Sequence, residues 1–203
     1  MKRSIVALIA LAITASCSDS PTEPQLAAAG SLAFGYNGGT LVAAGTYSAS
    51  GGLPTSEAEQ STRAWAAAVR DAQNANNIGV ISSSPRANNR ADLVILSFDR
   101  STAGSSTIDM DSCTEDDCAG MVFWYNLSQS QSSAGEVLCG LETGTMTIAT
   151  LTATRVTGTF SGTGSCTSLD DFMTFTAFTV TNGTFDAPVL PDIPGSNLMV
   201  RSR

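Results

Sequence analysis

From residue 31 onward the chain reads as short apolar runs separated by glycine-, asparagine- and serine-rich breaks, a spacing that suits strands better than helices. The runs predict strands at 31–36, 40–49, 78–83, 92–98, 120–127, 143–150, 156–162, 172–181 and 184–187. Fifteen threonines crowd between Thr143 and Thr184, and such β-branched enrichment with glycine-marked turns favours a pleated, half-buried surface. Residues 172–181 and 184–187 flank Asn182-Gly183, the dipeptide of a type I′ hairpin turn. Apolar residues in 172–180 do not alternate cleanly, which implies a bulge or burial on both faces. The pattern predicts an all-β chain forming a single antiparallel β-sandwich, immunoglobulin-like or jelly-roll-like, with at most one short helix.

One stretch carries two periods. Ser56 and Glu59 form a capping box, and Ala58, Trp65, Val69 and Ala72 share a helical face, so 56–73 suits an amphipathic helix. Residues 63–71 also alternate through Trp65, Ala67 and Val69, and the asparagine-rich 73–77 would return such a strand into 78–83. Local propensity favours the helix.

The N-terminus changes the picture of where the domain resides. Basic Lys2-Arg3 precede an apolar run of about ten residues (4–13), the form of a secretory signal and about half the length needed to span a bilayer. The small residues Ala15-Ser16 before Cys17 resemble the lipobox of bacterial lipoproteins, with Thr14 standing where leucine is usual. That resemblance implies cleavage after residue 16 and a Cys17 that carries diacylglycerol as the new N-terminus. Ser18, in place of an aspartate, implies onward export to the outer membrane. Residues 17–30 then hold the acylated cysteine and a flexible spacer, poor in bulky apolar residues and carrying two prolines. The domain is expected at 31–190. Pro188, Pro191 and Pro194 punctuate its end, and 191–203 is expected to be a disordered tail.

Composition narrows the chemistry. At 42% hydrophobic and 14% charged, 203 residues supply one ordinary core. There is no histidine, and the one lysine, Lys2, lies in the signal. Ser-His-Asp triads, histidine-bearing metal sites and Schiff-base lysines are therefore ruled out of the processed chain. Removal of 1–16 leaves a net charge of about −10, and no cluster of arginines offers nucleic acid a basic surface.

Setting Cys17 aside leaves Cys113, Cys118, Cys139 and Cys166, an even number in an exported chain, which favours disulfides over zinc. Three pairings are open. The close spacing of Cys113 and Cys118 suits a loop staple. Cys139 and Cys166 bracket two threonine-rich strands whose turn is expected near Thr152-Ala153, so a cross-strand bridge follows there.

Several segments taken together, Arg63-Ala-Trp-Ala-Ala-Ala-Val-Arg-Asp71, Ile78-Gly-Val-Ile81, Leu93-Val-Ile-Leu96, Val156-Thr-Gly-Thr-Phe-Ser-Gly-Thr-Gly164 and Phe178-Thr-Val-Thr-Asn-Gly-Thr-Phe-Asp186, resemble a family of uncharacterised bacterial lipoproteins with an all-β domain. The resemblance covers most of 31–190. It implies that the Trp65 segment is a strand, and it implies no activity; the capping box of Ser56 and Glu59 leaves room for a helical turn near 56–60.

Three constellations were candidates for chemistry. Asp109, Asp111, Glu115 and Asp117, alternating along the acidic stretch 109–118 that a Cys113–Cys118 staple would pin, offer hard oxygen ligands for Ca²⁺, although the bidentate closing glutamate and the sharp-turn glycine of an EF-hand are missing. No other cofactor is expected, and a solvated acidic loop is the alternative. In 121–127, Met121, Phe123, Tyr125 and Leu127 share one face, so Trp124 leans outward beside Asn126, where Trp124 and Tyr125 could stack on a sugar ring. Glu136, Glu142, Asp170 and Asp171 are the carboxylates a glycoside hydrolase would draw on, but no spacing singles out a pair. The sequence therefore reads as a lipid-anchored, non-catalytic lipoprotein of the bacterial envelope. Its binding or structural role would involve a glycan or an envelope protein, with no nucleic acid.

Overall fold

The computed structural model describes residues 29–54, 59, 62–71, 74–109, 118–128 and 134–190. Ten strands follow in order: β1 (Gly30–Gly38), β2 (Val42–Gly51), β3 (Trp65–Arg70), β4 (Asn77–Arg86), β5 (Arg90–Asp99), β6 (Gly104–Asp109), β7 (Cys118–Ser128), β8 (Val137–Leu151), β9 (Arg155–Ser168) and β10 (Phe175–Pro188). The chain is all-β, as its pattern predicts. Ladders join all ten strands in one sheet, in the order β2-β1-β10-β9-β8-β6-β7-β5-β4-β3, and β8 also pairs with β7.

That sheet curls until its ends nearly meet. Ala68 of β3 forms a parallel bridge with Val189, and the Leu190 N–H donates to the Ala68 carbonyl at 2.8 Å. Glycine permits this closure at Gly30, where a Cβ would stand 2.1 Å from the Ala66 carbonyl oxygen. Curvature comes from bulges. β8 breaks register between Leu141 and Thr143 and again between Ile148 and Thr150, which lets a 15-residue strand bend around the interior. β6 enters the sheet as a wedge, antiparallel to the second half of β8 and parallel to the start of β7.

The enclosed space is filled by side chains. Phe34 of β1 meets Phe123 of β7 edge-on at 5.4 Å, Phe123 stacks on Phe178 of β10 at 6.2 Å, and Phe98 of β5 stacks on Phe185 of β10 at 6.3 Å. These strands are distant in the sheet order, so opposite walls touch across a flattened interior.

Two sequence expectations need correction here. Residues 172–181 and 184–187 are one strand, β10; Thr181 and Asn182 form a bulge in it, both exposed, with Asn182 at φ 53° and the register to β9 shifted between Val180 and Gly183. Asn182-Gly183 is used for its left-handed backbone without reversing the chain. β6 carries a strand where none was expected, because Ser105, Ser106 and Thr107 mask a segment with a single large core residue, Ile108. The contested 63–71 segment is strand β3. Before it, Glu59 and Thr62 have helical backbone, and the Arg63 N–H donates to the Glu59 carbonyl at 2.9 Å; the rest of 56–60 lies outside the described residues.

Cys139 and Cys166 face each other across β8 and β9 and are disulfide-bonded, with Cα atoms 3.9 Å apart. The hairpin turn falls at Thr152, whose N–H donates to the Arg155 carbonyl. A bridge closing 27 residues of chain stabilises the domain by about 3–4 kcal/mol in the chain-entropy account.

Candidate functional site

The two ends of the barrel differ. One holds both ends of the described domain, at Gly30 and Leu190, together with the β3–β4, β5–β6 and β8–β9 turns, since Gly30 pairs with Gly51, Pro188 with Arg155 and Asn77 with Asp99, and Arg70 Nη2 donates to the Thr152 carbonyl. The opposite end collects the β1–β2, β4–β5 and β9–β10 turns and the start of β8, because Arg86 pairs with Arg90, Tyr125 with Val137 and Val137 with Ser168. Six of the nine positive-φ residues among the described ones lie at this end, Gly39 (φ 63°), Asn88 (61°), Asn89 (57°), Asn126 (60°), Gly135 (72°) and Phe172 (55°), while Gly51 (158°) and Gly104 (149°) lie at the other. Asparagine and glycine adopt the left-handed region readily, whereas for phenylalanine it costs energy.

Hydrogen bonds tie these turns to each other. Arg90 donates through Nη1 to the Asn126 carbonyl at 2.6 Å and through Nη2 to the Ala134 carbonyl at 2.7 Å. Asn126 Nδ2 donates to the Gly135 carbonyl, and the Gly135 N–H to Asp170 Oδ2 at 3.0 Å. Glu136, nearly buried, accepts the Ser128 N–H, and its carbonyl accepts the Leu169 N–H. Thr176 Oγ1 donates to the Gly38 carbonyl at 2.6 Å.

Beneath them lies a charged plug. Asp92, 5% exposed, accepts Arg86 Nε at 2.6 Å and the Asn126 N–H at 2.9 Å through the same oxygen. The Arg86 guanidinium sits 4.1 Å from the Tyr125 ring centroid, and its Nη1 donates to the Tyr125 hydroxyl at 3.4 Å. Burial opposes the Arg86 charge, but the hydrogen bond and negative charge of Asp92 outweigh it, so Arg86 holds its proton more firmly than an ordinary arginine. Burial, and then the Asp92 charge, raises the Tyr36 hydroxyl above its usual range.

The β9–β10 turn stands at the same end of the barrel. Asp171 Oδ1 accepts the N–H groups of Met173 at 3.0 Å and Thr174 at 3.3 Å, and its Oδ2 accepts the Thr174 hydroxyl at 3.0 Å. These bonds, the Met173 N–H first, draw the Asp171 carboxyl below the ordinary carboxylate range. The turn so fixed presents Phe172, Met173 and Phe175 with 50%, 82% and 64% of their surfaces exposed. Large apolar groups grouped at the surface of a chain with its own core make this turn a candidate contact surface.

Most of the sequence-predicted site residues lie elsewhere or are held apart. Cys17, Cys113, Asp111, Glu115 and Asp117 lie outside the described residues, and Asp109 closes β6. Cys118 opens β7 and is disulfide-bonded. No group of three metal-binding side chains occurs among the described residues. Trp124 and Tyr125 are not one platform: Trp124 lies half-buried on the outer face of β7 in register with Leu93 and Leu138, while Tyr125 packs against the core under Arg86. Glu142 lies on the outer surface and accepts the Ser165 hydroxyl. Glu136, Asp170 and Asp171 each hold backbone N–H groups of the turns.

Sequence reasoning did not single out Arg86, Asp92, Met173 or Phe175. A signal for Asp92 existed, since a lone acid opens the apolar run Leu93-Val-Ile-Leu96. Against known proteins, the chain matches no family model, no curated protein and no solved structure.

Proposed function

We propose that this chain is a lipid-anchored, non-catalytic binding module of the bacterial envelope, tethered through Cys17 and sent to the outer membrane. Its flattened barrel acts as a sandwich-like scaffold that presents the turn-bearing end. The observation that carries the reading is polarity: the described chain begins and ends at one pole, and its strained, hydrogen-bonded, apolar-tipped turns stand at the other. A tether entering at Gly30 through the spacer of residues 17–30 leaves that far pole clear of the anchoring membrane. Turns carried on a rigid sheet are the usual carriers of recognition. A basic start, an apolar core too short to span and small residues before Cys17 support the anchor. The spacing of Cys113 and Cys118 supports a second disulfide between them. The test is Cys17→Ala: the protein should leave the membrane fraction and lose incorporation of a fatty-acid probe, and unchanged labelling would overturn the anchor.

A further inference from the structure

The β9–β10 turn is an exposed apolar feature whose shape is fixed. We propose that this tip, with Met173 and Phe175 at its crest, is a docking knob for an envelope protein whose receiving pocket is apolar and rimmed by arginine or lysine. The proposal deepens the reading of this end as the presenting pole, and it does not depend on acylation of Cys17.

Three features point to such a partner. Asp171 ties down the Met173 and Thr174 N–H groups and the Thr174 hydroxyl, so little turn entropy remains to be lost on binding. Phenylalanine and methionine are enriched at the cores of protein interfaces, and Met173 and Phe175 are 82% and 64% exposed. The charge at the foot of the knob is net negative: Asp170 and Asp171 lead into it, against one nearby cation, Arg90, whose guanidinium is turned onto the Asn126 and Ala134 carbonyls.

Other occupants fit worse. A bilayer taking in Met173 would draw the Asp171 carboxylate, held ionised by its donors, toward hydrocarbon without a counter-charge; a cationic rim on a protein supplies one. A second copy docking knob to knob would bring the Asp170 and Asp171 carboxylates of both copies together without a counter-charge. One docking into the apolar depression over Gly79, lined by Val69, Ile81 and Ile95, would find a volume of about 30 Å³ with Asp71 at its rim.

The experiment uses the full chain in envelope-bearing cells, with photo-reactive benzoylphenylalanine at Met173 and, as a control at the opposite pole, at exposed Ala153. We expect one discrete protein adduct from position 173 that is absent from 153. Once that protein is identified and purified, Met173→Asp with Phe175→Ser should weaken its binding at least tenfold with melting temperature unchanged, and raising salt from 50 to about 300 mM should weaken the native complex. Adducts to lipid alone, to a second copy, or equally from both positions would overturn the proposal, as would no adduct at all. Binding that ignores both the substitutions and salt would do the same. Because the cross-linking is repeated in Cys17→Ala, loss of the anchor and loss of the docking knob read out separately.

Discussion

At the scale of single residues, the turn-bearing end depends on a few polar groups that leave water only because each has a partner. Asp92 is the central one, since one of its oxygens serves both the Arg86 guanidinium and the bulged Asn126 N–H. Asp92→Asn keeps the shape but leaves the arginine uncompensated. Breaking a fully buried pair costs about 3–5 kcal/mol; with the Arg86 side chain about one-third exposed, solvent screening reduces this, and a loss of about 2 kcal/mol is expected in denaturant unfolding. Alkaline pH offers an independent check. Tyr47 is buried, with its hydroxyl 2.8 Å from Ser82 Oγ, and burial pushes both Tyr47 and Tyr36 above the ordinary tyrosine range. Both keep their protons in the folded state after the unfolded chain has begun to lose them near pH 10. Their contribution is therefore complete below pH 10 and declines as pH rises toward the folded values. The phenolate absorbance of Tyr36 and Tyr47 should lag in the folded protein and appear together with unfolding. Free titration of Tyr36 and Tyr47 near pH 10 with the circular dichroism intact would contradict their burial.

At the scale of elements, the two Gly-Thr-Phe segments explain each other. Gly183 of β10 pairs with Phe160 of β9, and Phe185 of β10 pairs with Gly158 of β9, so each ring lies over the other segment's glycine. A Cβ on Gly183 would stand 2.5 Å from the Phe160 carbonyl and 2.7 Å from its ring. Gly183→Ala should therefore destabilise by about 1–3 kcal/mol, the usual cost of overpacking, whereas Gly52→Ala, with nothing within 4 Å, should change stability by less than about 0.5 kcal/mol. Melting curves of the two variants check the contrast. The same segments show what was legible. Strand identity followed from threonine and glycine content, and the Cys139–Cys166 bridge followed from its symmetric placement about the turn. Asn182-Gly183 was misleading because the left-handed backbone it favours serves a bulge as well as a hairpin. β6 left no periodic signal, and the helical face of 56–73 was overridden by pairing of β3 with β4, a case of tertiary contacts outweighing propensity.

At the scale of the whole molecule, closure and polarity decide how the parts work together. Pairing order is a long-range property: β1 lies beside β10 and β6 between β8 and β7, which local pattern does not specify. This is why an all-β chain could be read from sequence while its single curled sheet could not. The candidate site was hidden for the same reason, since Arg86, Asn126, Gly135 and Asp171 become one surface only when three connections, β4–β5, β7–β8 and β9–β10, meet. Polarity is the claim on which the functional account rests, with the tether at one pole and the docking knob at the other. Its most direct measurement places the chain, carrying the proposed acyl group on Cys17, in phosphatidylcholine vesicles with a headgroup quencher and compares fluorophores attached through Ala153→Cys and Met173→Cys. The account predicts stronger quenching at position 153, beside the tethered pole, and weaker quenching at 173; equal or stronger quenching at 173 would contradict it.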